Sequence, residues 1–129
     1  MVMVVEDDRE MNKLQQELLA AHGMDSLPAY DGMEALEVCL RCGADAVLLD
    51  LMLPRMDGLE TCRRLRESHP SGMPIVIVTA LANEECRKEG LEAGANAYFC
   101  KPFDPDEVIL RLRQLMAEAC GQQCPVPEG

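Results

Sequence analysis

Short apolar runs alternate with amphipathic segments along nearly the whole sequence, and this alternation constrains the fold more than any other feature. Three runs, Val2 to Val5, Ala46 to Leu49 and Ile75 to Val78, are apolar at every position, which is typical of strands buried on both faces of a sheet. Weaker or shorter strand patterns cover Ser26 to Tyr30 and Ala97 to Cys100. Five strand-then-helix units predict an α/β fold with one parallel sheet and helices on both faces.

The spacing of apolar residues also predicts the helices. Each predicted stripe repeats every three or four residues, as one face of a helix does. The stripes of the first, second, third and fifth helices are Met11, Leu14, Leu18 and Ala21; Met33, Leu36 and Leu40; Leu59, Cys62 and Leu65; and Val108, Ile109, Leu112, Leu115 and Met116.

Length and charge exclude several classes of protein. A chain of 129 residues suits one domain with a core of its own, and a formal net charge of -11 disfavours direct nucleic-acid binding by this domain. The apolar runs are too short to span a bilayer, and the N-terminus lacks a signal-peptide pattern, so we expect a cytoplasmic protein. Because Gly, Gln and Pro dominate after Ala119, we expect a domain over 1–119 and a linker or tail over 120–129.

Seven cysteines without a secretion signal indicate reduced thiols. The spacings Cys39-x-x-Cys42 and Cys120-x-x-x-Cys124 leave a zinc site open as an alternative, although neither histidine forms a ligand-spaced pair with a cysteine. Cys39, Cys62 and Cys86 stand where a helix would bury an apolar residue. We therefore expect these three to act as small hydrophobic residues.

Polar side chains stand where four of the predicted strands end. Glu6 and Asp7 follow the first strand, Asp50 the third, Thr79 the fourth and Lys101 the fifth. Because the carboxyl ends of parallel strands meet at one edge of a sheet, we expect these side chains to converge. Clustered carboxylates repel one another and favour a hard cation such as Mg²⁺. A lysine and a hydroxyl group beside them suit a phosphoryl group.

Four motifs, in this order, resemble the receiver domains of bacterial-type two-component response regulators. The resemblance covers residues 2–118 and implies a flavodoxin-like (βα)5 doubly wound fold with strand order 2-1-3-4-5. The motifs are Val4-Val5-Glu6-Asp7-Asp8, Leu48-Leu49-Asp50-Leu51-Met52-Leu53-Pro54-Arg55-Met56-Asp57-Gly58, Val78-Thr79-Ala80 and Lys101-Pro102-Phe103.

The resemblance implies a role for each strand-end residue. Asp50 would take a phosphoryl group from a phosphohistidine of a sensor histidine kinase and form an acyl phosphate. Mg²⁺ or Mn²⁺ would be bound directly by Asp7 and Asp50, through water by Glu6, and by the backbone carbonyl of Met52. Lys101 would pair with the phosphoryl oxygens, and the Lys101-Pro102 peptide bond would be cis.

The resemblance also implies a conformational switch. Thr79 would move to hydrogen-bond the phosphoryl group, and Tyr98 would turn inward into the space that Thr79 vacates. This change would signal to an output domain or a partner, with transcriptional regulation as one form of output. Receivers of the winged-helix transcription-factor class dimerise through the fourth helix, fifth strand and fifth helix, but segment 94–98 lacks the acidic pair usual in that class. Residues that fit a charged face of this kind are Lys88, Glu92, Glu107 and Arg111.

The residues around Asp50 also bear on its chemistry. Met52 and Leu81 flank the expected path of an attacking water and can neither orient nor deprotonate it, so we predict slow hydrolysis of a phosphorylated Asp50. We expect no enzymatic activity beyond phosphotransfer to the domain itself and slow autodephosphorylation. A dehalogenase-type phosphohydrolase would need a carboxylate at position 52, and a phosphorylation-independent module on the same fold would not need Asp50 or Lys101.

Overall fold

Five strands and five helices alternate along the described residues, 1–69 and 72–123, of this computed structural model. This order confirms the alternation predicted from the hydrophobic pattern. The strands are β1 (Val2–Val5), β2 (Ser26–Ala29), β3 (Ala46–Leu49), β4 (Ile75–Thr79) and β5 (Ala97–Cys100). The helices are α1 (Arg9–Ala21), α2 (Gly32–Cys42), α3 (Gly58–Ser68), α4 (Glu84–Glu92) and α5 (Pro105–Gln123).

The strands form one parallel sheet in the order β2-β1-β3-β4-β5. The chain therefore runs outward from β1 to β2 and then crosses back to β3, which confirms the predicted flavodoxin-like, doubly wound fold. In the β1–β3 register Val5 pairs with Leu49, and the Asp50 amide donates to the Val5 carbonyl at 3.0 Å. The residues that follow these two strands are thus neighbours at the topological switch point, where such sheets bind ligands.

Successive residues of each strand point to opposite faces of the sheet, and each face has its own core. In β1, Met3 and Val5 pack in the core beneath α2, α3 and α4, whereas Val2 and Val4 pack beneath α1 and α5. The inner strands β1, β3 and β4 are buried along their whole length. Burial on both sides explains why β3 and the first four residues of β4 are continuously apolar.

The apolar stripe that predicts α1 does not coincide with the buried face of this helix. Leu14 is 58% exposed, and the buried residues of this helix are Asn12, Gln15 and Leu19. The Asn12 side-chain amide donates to the carbonyls of Val4 and Glu6, at 3.0 Å in both cases. Because buried carbonyl groups need donors, the polar face of α1 turns toward the end of β1. The spacing of apolar residues alone cannot predict this need for a buried hydrogen-bond donor.

The apolar stripe that predicts α2 also differs from the buried face of this helix. Leu40 is 79% exposed and Met33 is exposed too, while Gly32, Ala35 and Cys39 are buried. A Cβ atom on Gly32 would lie 2.2 Å from the Thr61 hydroxyl of α3. The approach of α2 to α3 therefore selects small residues for the contact, and the larger side chains turn outward.

The fifth helix and the cysteines follow the prediction more closely. Val108, Ile109, Leu112 and Leu115 of α5 are buried, and this helix continues to Gln123, four residues into the segment expected to be a linker. Residues 124–129 lie outside the described residues, so the domain boundary stays a prediction. Buried positions are confirmed for Cys39 and Cys62, whereas Cys86 is half-buried. No helix in the described part of the chain is long and apolar enough to cross a bilayer.

Replacing Asn12 by leucine should destabilise the fold, because the Val4 and Glu6 carbonyl groups lose a donor in a buried environment. We expect the free energy of unfolding in urea to fall by about 2 kcal/mol. Leu14→Gln, on the exposed side of the same helix, should change it by less than about 0.5 kcal/mol. Equal losses in the two variants would contradict the observed orientation of α1.

Candidate functional site

Lys101 joins Glu6 and Asp50 at the carboxyl edge of the sheet. It follows β5 and reaches past β4, so that its Nζ lies 2.5 Å from Glu6 Oε1 and 2.9 Å from Asp50 Oδ2. Glu6 and Asp50 are only 3% and 6% exposed. Charges shielded from water interact more strongly than charges on the surface, so this triad holds the strand ends together. The Lys101-Pro102 peptide bond is cis, as expected.

The pKa values of the two carboxyl groups in the triad are shifted in opposite directions. Burial raises the pKa of Glu6 to about 7, against the lowering effect of the Lys101 hydrogen bond. Burial also acts to raise the pKa of Asp50, but hydrogen bonds from the Met52 amide and from Lys101 outweigh it and hold that pKa below its ordinary value. Burial acts to lower the pKa of Lys101, but hydrogen bonds and charge from the two carboxylate partners outweigh burial and raise that pKa above its ordinary value. Asp50 therefore stays an anion beside a cation.

Two side-chain hydrogen bonds and a close backbone contact at Gly58 hold the loop after Asp50. Asp50 Oδ1 accepts a hydrogen bond from the Met52 amide at 3.0 Å, and the side chain of Asp57 caps α3 by accepting from the Glu60 amide at 2.9 Å. A Cβ atom on Gly58 would lie 2.3 Å from Leu51 Cα and 2.7 Å from the Asp50 carbonyl oxygen. Gly58 thus allows the start of α3 to rest directly against the backbone that carries Asp50.

The expected cluster of three carboxylates is only partly formed. Asp7 and Asp8 follow Glu6 and are exposed, and Asp8 caps α1 by accepting from the amides of Glu10 and Met11. Among the described residues, no three His, Cys, Asp or Glu side chains lie together in a metal-binding arrangement. The structure therefore brings Glu6 and Asp50 together through Lys101, and Asp7 lies outside that group at the same edge.

The chemistry of these donors nevertheless fits a hard divalent cation. The carboxylates of Glu6, Asp7 and Asp50 and the carbonyl of Met52 offer oxygen only, which is the ligand type that Mg²⁺ prefers. The buried pair of carboxylates exceeds the single charge of Lys101, and the negative charge of Asp50 adds to the burial that raises the pKa of Glu6. For zinc, the described cysteines form no cluster, and the Cys120 and Cys124 side chains lie outside what the structure describes.

Thr79 and Tyr98 lie on neighbouring strands and are both buried. The Thr79 hydroxyl lies 3.4 Å from the Leu81 amide, from which it accepts, and the Tyr98 hydroxyl donates to the Leu81 carbonyl at 2.5 Å. The ring of Tyr98 is buried, with its hydroxyl against the Leu81 backbone. The backbone of Leu81 thus links the two proposed switch residues, a contact that no side-chain pattern could have revealed.

Sequence analysis also missed Gly90, which makes room for Tyr98. A Cβ atom at this position would lie 2.8 Å from Ile77 Cδ1 and 3.2 and 3.3 Å from two carbons of the Tyr98 ring. The available signal was the glycine itself, because a glycine inside a helix costs stability and needs a packing reason.

Comparison with known proteins identifies the family. The family model described as the response regulator receiver domain matches residues 2–113. The chain belongs to this family. The response regulator MprA of Mycobacterium sp. (strain KMS) is 40% identical over 124 residues, which cover 96% of this chain and 54% of MprA. The chain thus spans about half the length of the relatives it matches.

Solved receiver domains share the fold. The BeF3-activated N-terminal receiver domain of Klebsiella pneumoniae RstA has a TM-score of 0.83 and 39% identity, and the match covers 89% of this chain and 97% of that one. A CheY-like receiver domain protein from Methanospirillum hungatei has a TM-score of 0.88 and 26% identity, with 94% and 96% covered. The present chain is therefore the receiver domain of a two-component response regulator.

Replacing Gly90 by alanine should displace the Tyr98 ring from Leu81, because the added methyl group would overlap Ile77 and the ring. We expect the Tyr98 ring resonances in NMR spectra to shift while those of Tyr30 stay in place, with a loss of about 1–2 kcal/mol of stability. Glu89→Ala, at the adjacent exposed position of α4, is the control. Unchanged Tyr98 resonances in Gly90→Ala would show that the ring does not depend on this space.

Proposed function

We propose that Asp50 is the phosphoacceptor of this receiver domain and that its donor is a phosphohistidine of a sensor histidine kinase. The observation that carries this proposal is the Asp50 carboxylate itself, which is buried yet kept ionised by Lys101 and the Met52 amide. A nucleophile must be deprotonated at the moment of attack, and an ammonium group beside it is available for the phosphoryl oxygens.

The reaction needs little from the protein beyond position and charge. A carboxylate oxygen of Asp50 attacks the phosphorus, a P–O bond forms and the P–N bond to the donor imidazole breaks, so that the histidine leaves with the electron pair of that bond. Lys101 stabilises the transferred phosphoryl oxygens by charge, and the Thr79 hydroxyl supplies a hydrogen bond. The product is an acyl phosphate on Asp50.

Transfer is proposed to need a divalent cation, Mg²⁺ or Mn²⁺. Asp7 and Asp50, the backbone carbonyl of Met52 and, through water, Glu6 are the residues that would hold it. When bound, the cation offsets the repulsion between an anionic donor and the carboxylates. This chain contributes the hard oxygen donors and the fixed geometry of the loop behind Asp50.

We further propose that Thr79 and Tyr98 pass the signal on. Movement of the Thr79 hydroxyl toward a phosphoryl group would favour the inward position of Tyr98, whose hydroxyl already contacts the Leu81 carbonyl. The relatives are about twice as long as this chain, which supports an output domain, with transcriptional regulation as one form of output. A phosphorylation-dependent homodimer would use α4, β5 and α5, where Lys88, Glu92 and Glu107 are exposed and Arg111 is half-buried.

The remaining proposals concern the location of the domain and the extent of its catalysis. We place the domain in the cytoplasm, without membrane or direct nucleic-acid contact. Its catalysis is limited to its own phosphorylation and slow dephosphorylation, because position 52 carries Met52 in place of a carboxylate that could act as an acid.

Beryllofluoride with Mg²⁺ tests the assignment of Asp50, because this reagent imitates a phosphoryl group on a carboxylate. We expect amide NMR shifts at Thr79, Tyr98 and Lys101 in the wild-type protein and none in Asp50→Asn. Asp57→Asn is the matched control in the same loop, since asparagine caps a helix as well as aspartate. A response in Asp50→Asn, or none in the wild type, would exclude Asp50 as the phosphoacceptor.

The lifetime of the phosphorylated form tests the effect of the residues beside Asp50. Met52 is exposed and Leu81 half-buried, and neither side chain can orient water. We expect the acyl phosphate to persist for minutes after acetyl phosphate is removed, and Met52→Asn to shorten its life severalfold by supplying a polar group.

Phosphate-affinity gel electrophoresis over time measures this decay. Met33→Asn is the control, because Met33 is also an exposed methionine but lies on α2. Decay of the wild-type phosphoprotein within seconds would contradict the predicted slow hydrolysis.

A further inference from the structure

The two ends of α4 are attached to the rest of the domain in different ways. Among the nine described residues of α4 only Gly90 is buried, whereas α1, α2 and α3 each bury at least three residues. Leu91, the one large apolar side chain of α4, is 39% exposed, and half-buried Cys86 adds a small contact with the core. The position of α4 therefore depends strongly on the contacts at its two ends.

Arg66, in the last turn of α3, holds the carboxyl end of α4. Its Nε and Nη2 donate to the Gly94 carbonyl at 3.1 and 3.0 Å, and Nη2 also donates to Asn96 Oδ1 at 2.8 Å. Its Nη1 donates to the His69 carbonyl at 2.9 Å. One guanidinium group thus joins the end of α3 to the segment between α4 and β5.

Asn96 attaches the same segment to the sheet. Its amide donates to the Ile75 carbonyl at 2.7 Å, and its side-chain oxygen accepts from the Ile75 amide at 2.9 Å as well as from Arg66. Gly94 has a φ of +118°, and a Cβ atom there would lie 2.7 Å from Arg66 Cγ, so the chain turns directly against the arginine. The carboxyl end of α4 is therefore fixed to both α3 and β4.

The charge of Arg66 suits this position. The guanidinium donates to the Gly94 carbonyl, just after α4, and to the His69 carbonyl at the end of α3, where the dipoles of the two helices favour a cation. Burial lowers the pKa of Arg66, but a guanidinium group stays charged in proteins. Lysine would keep the charge without the planar fork that donates in several directions at once.

The amino end of α4 depends on the backbone of Leu81. The Leu81 carbonyl accepts from the Tyr98 hydroxyl at 2.5 Å and from Cys100 Sγ at 3.8 Å, and the Leu81 amide donates to the Thr79 hydroxyl at 3.4 Å. The bond from Tyr98 is the shortest of the three and involves an oxygen donor, so we take it as the main attachment.

The first turn of α4 adds little to this attachment. Asn83 caps the helix by accepting from the Cys86 amide at 2.7 Å, which is a bond within the start of α4 itself. Residues 82–85 are exposed. The amino end can therefore move without breaking the bonds that hold the carboxyl end.

We propose that α4 turns about a hinge at Gly94, with Arg66 holding its carboxyl end, when the Leu81 carbonyl is released by Tyr98. The cause of the release rests on the proposed Thr79 and Tyr98 switch, whereas the difference between the two ends belongs to the unmodified domain. A partner that contacts α4 would find its carboxyl end in one position and its amino end in two.

Amide hydrogen exchange on the full chain tests the attachment of the two ends. Tyr98→Phe keeps the ring and removes the hydroxyl, so we expect exchange of amides 86–88 to accelerate about tenfold and that of amides 93–96 to stay unchanged. Arg66→Lys should accelerate exchange at 93–96 instead. Arg63→Lys, an exposed arginine of α3 that pairs with Glu60, is the control and should change neither region.

Beryllofluoride with Mg²⁺ then separates a hinge from a purely stabilising contact. In the wild type, amide shift changes along α4 should decrease from residue 84 to residue 92 and be absent at 93–96. In Arg66→Lys they should extend into 93–96, whereas in Arg63→Lys they should not. A contact that only stabilises the fold would leave this distribution unchanged.

Equal acceleration at both ends of α4 in Tyr98→Phe, or identical behaviour of Arg66→Lys and Arg63→Lys, would overturn the hinge. A beryllofluoride response at Thr79 and Lys101 with equal changes at both ends of α4 would overturn it as well and leave Asp50 as the phosphoacceptor. The exchange measurements use the unmodified protein, so they decide the hinge even if Asp50 accepts no phosphoryl group.

Discussion

The placement of one ammonium group between two buried carboxylates is the interaction on which this site depends. Lys101 comes from β5, while Glu6 and Asp50 follow β1 and β3, so the contact spans most of the sheet. Two carboxylates in so little water would repel each other by several kcal/mol without a cation between them. Their closeness follows directly from the strand order, which makes the ends of β1 and β3 neighbours. The sheet topology and the charge pairing therefore support each other.

Close packing of backbone against backbone determines the shape around this interaction. Gly58 brings the first turn of α3 onto the loop that carries Asp50, Gly32 brings α2 against α3, and Gly90 opens the space that Tyr98 fills. A larger residue at any of these positions would move a helix or a ring. The position of the loop that carries Asp50 and the packing of Tyr98 thus depend on the lack of a side chain at Gly58 and Gly90.

The sequence predicted the fold and the central contact because both depend on patterns along the chain. Continuous apolar runs in β3 and β4 indicated strands buried on both sides, and polar residues at strand ends indicated one shared edge. The orientations of α1 and α2 were not predictable from apolar spacing, since Asn12 turns inward to serve backbone carbonyls and Gly32 allows close helix contact. The hydrogen bond from Tyr98 to the Leu81 carbonyl was not predictable either, because every residue type has a backbone carbonyl.

The hydrogen bonds of Leu81 have a consequence for how such a domain would signal. The Tyr98 hydroxyl donates to the Leu81 carbonyl, and the Leu81 amide donates to the Thr79 hydroxyl, so both side chains bond to the backbone of one residue. A displacement of either side chain would therefore change the hydrogen bonds of the loop that follows β4. On the proposal that Thr79 and Tyr98 form the switch, the signal would pass through backbone groups, and the side chain at position 81 would be free to vary without breaking the connection.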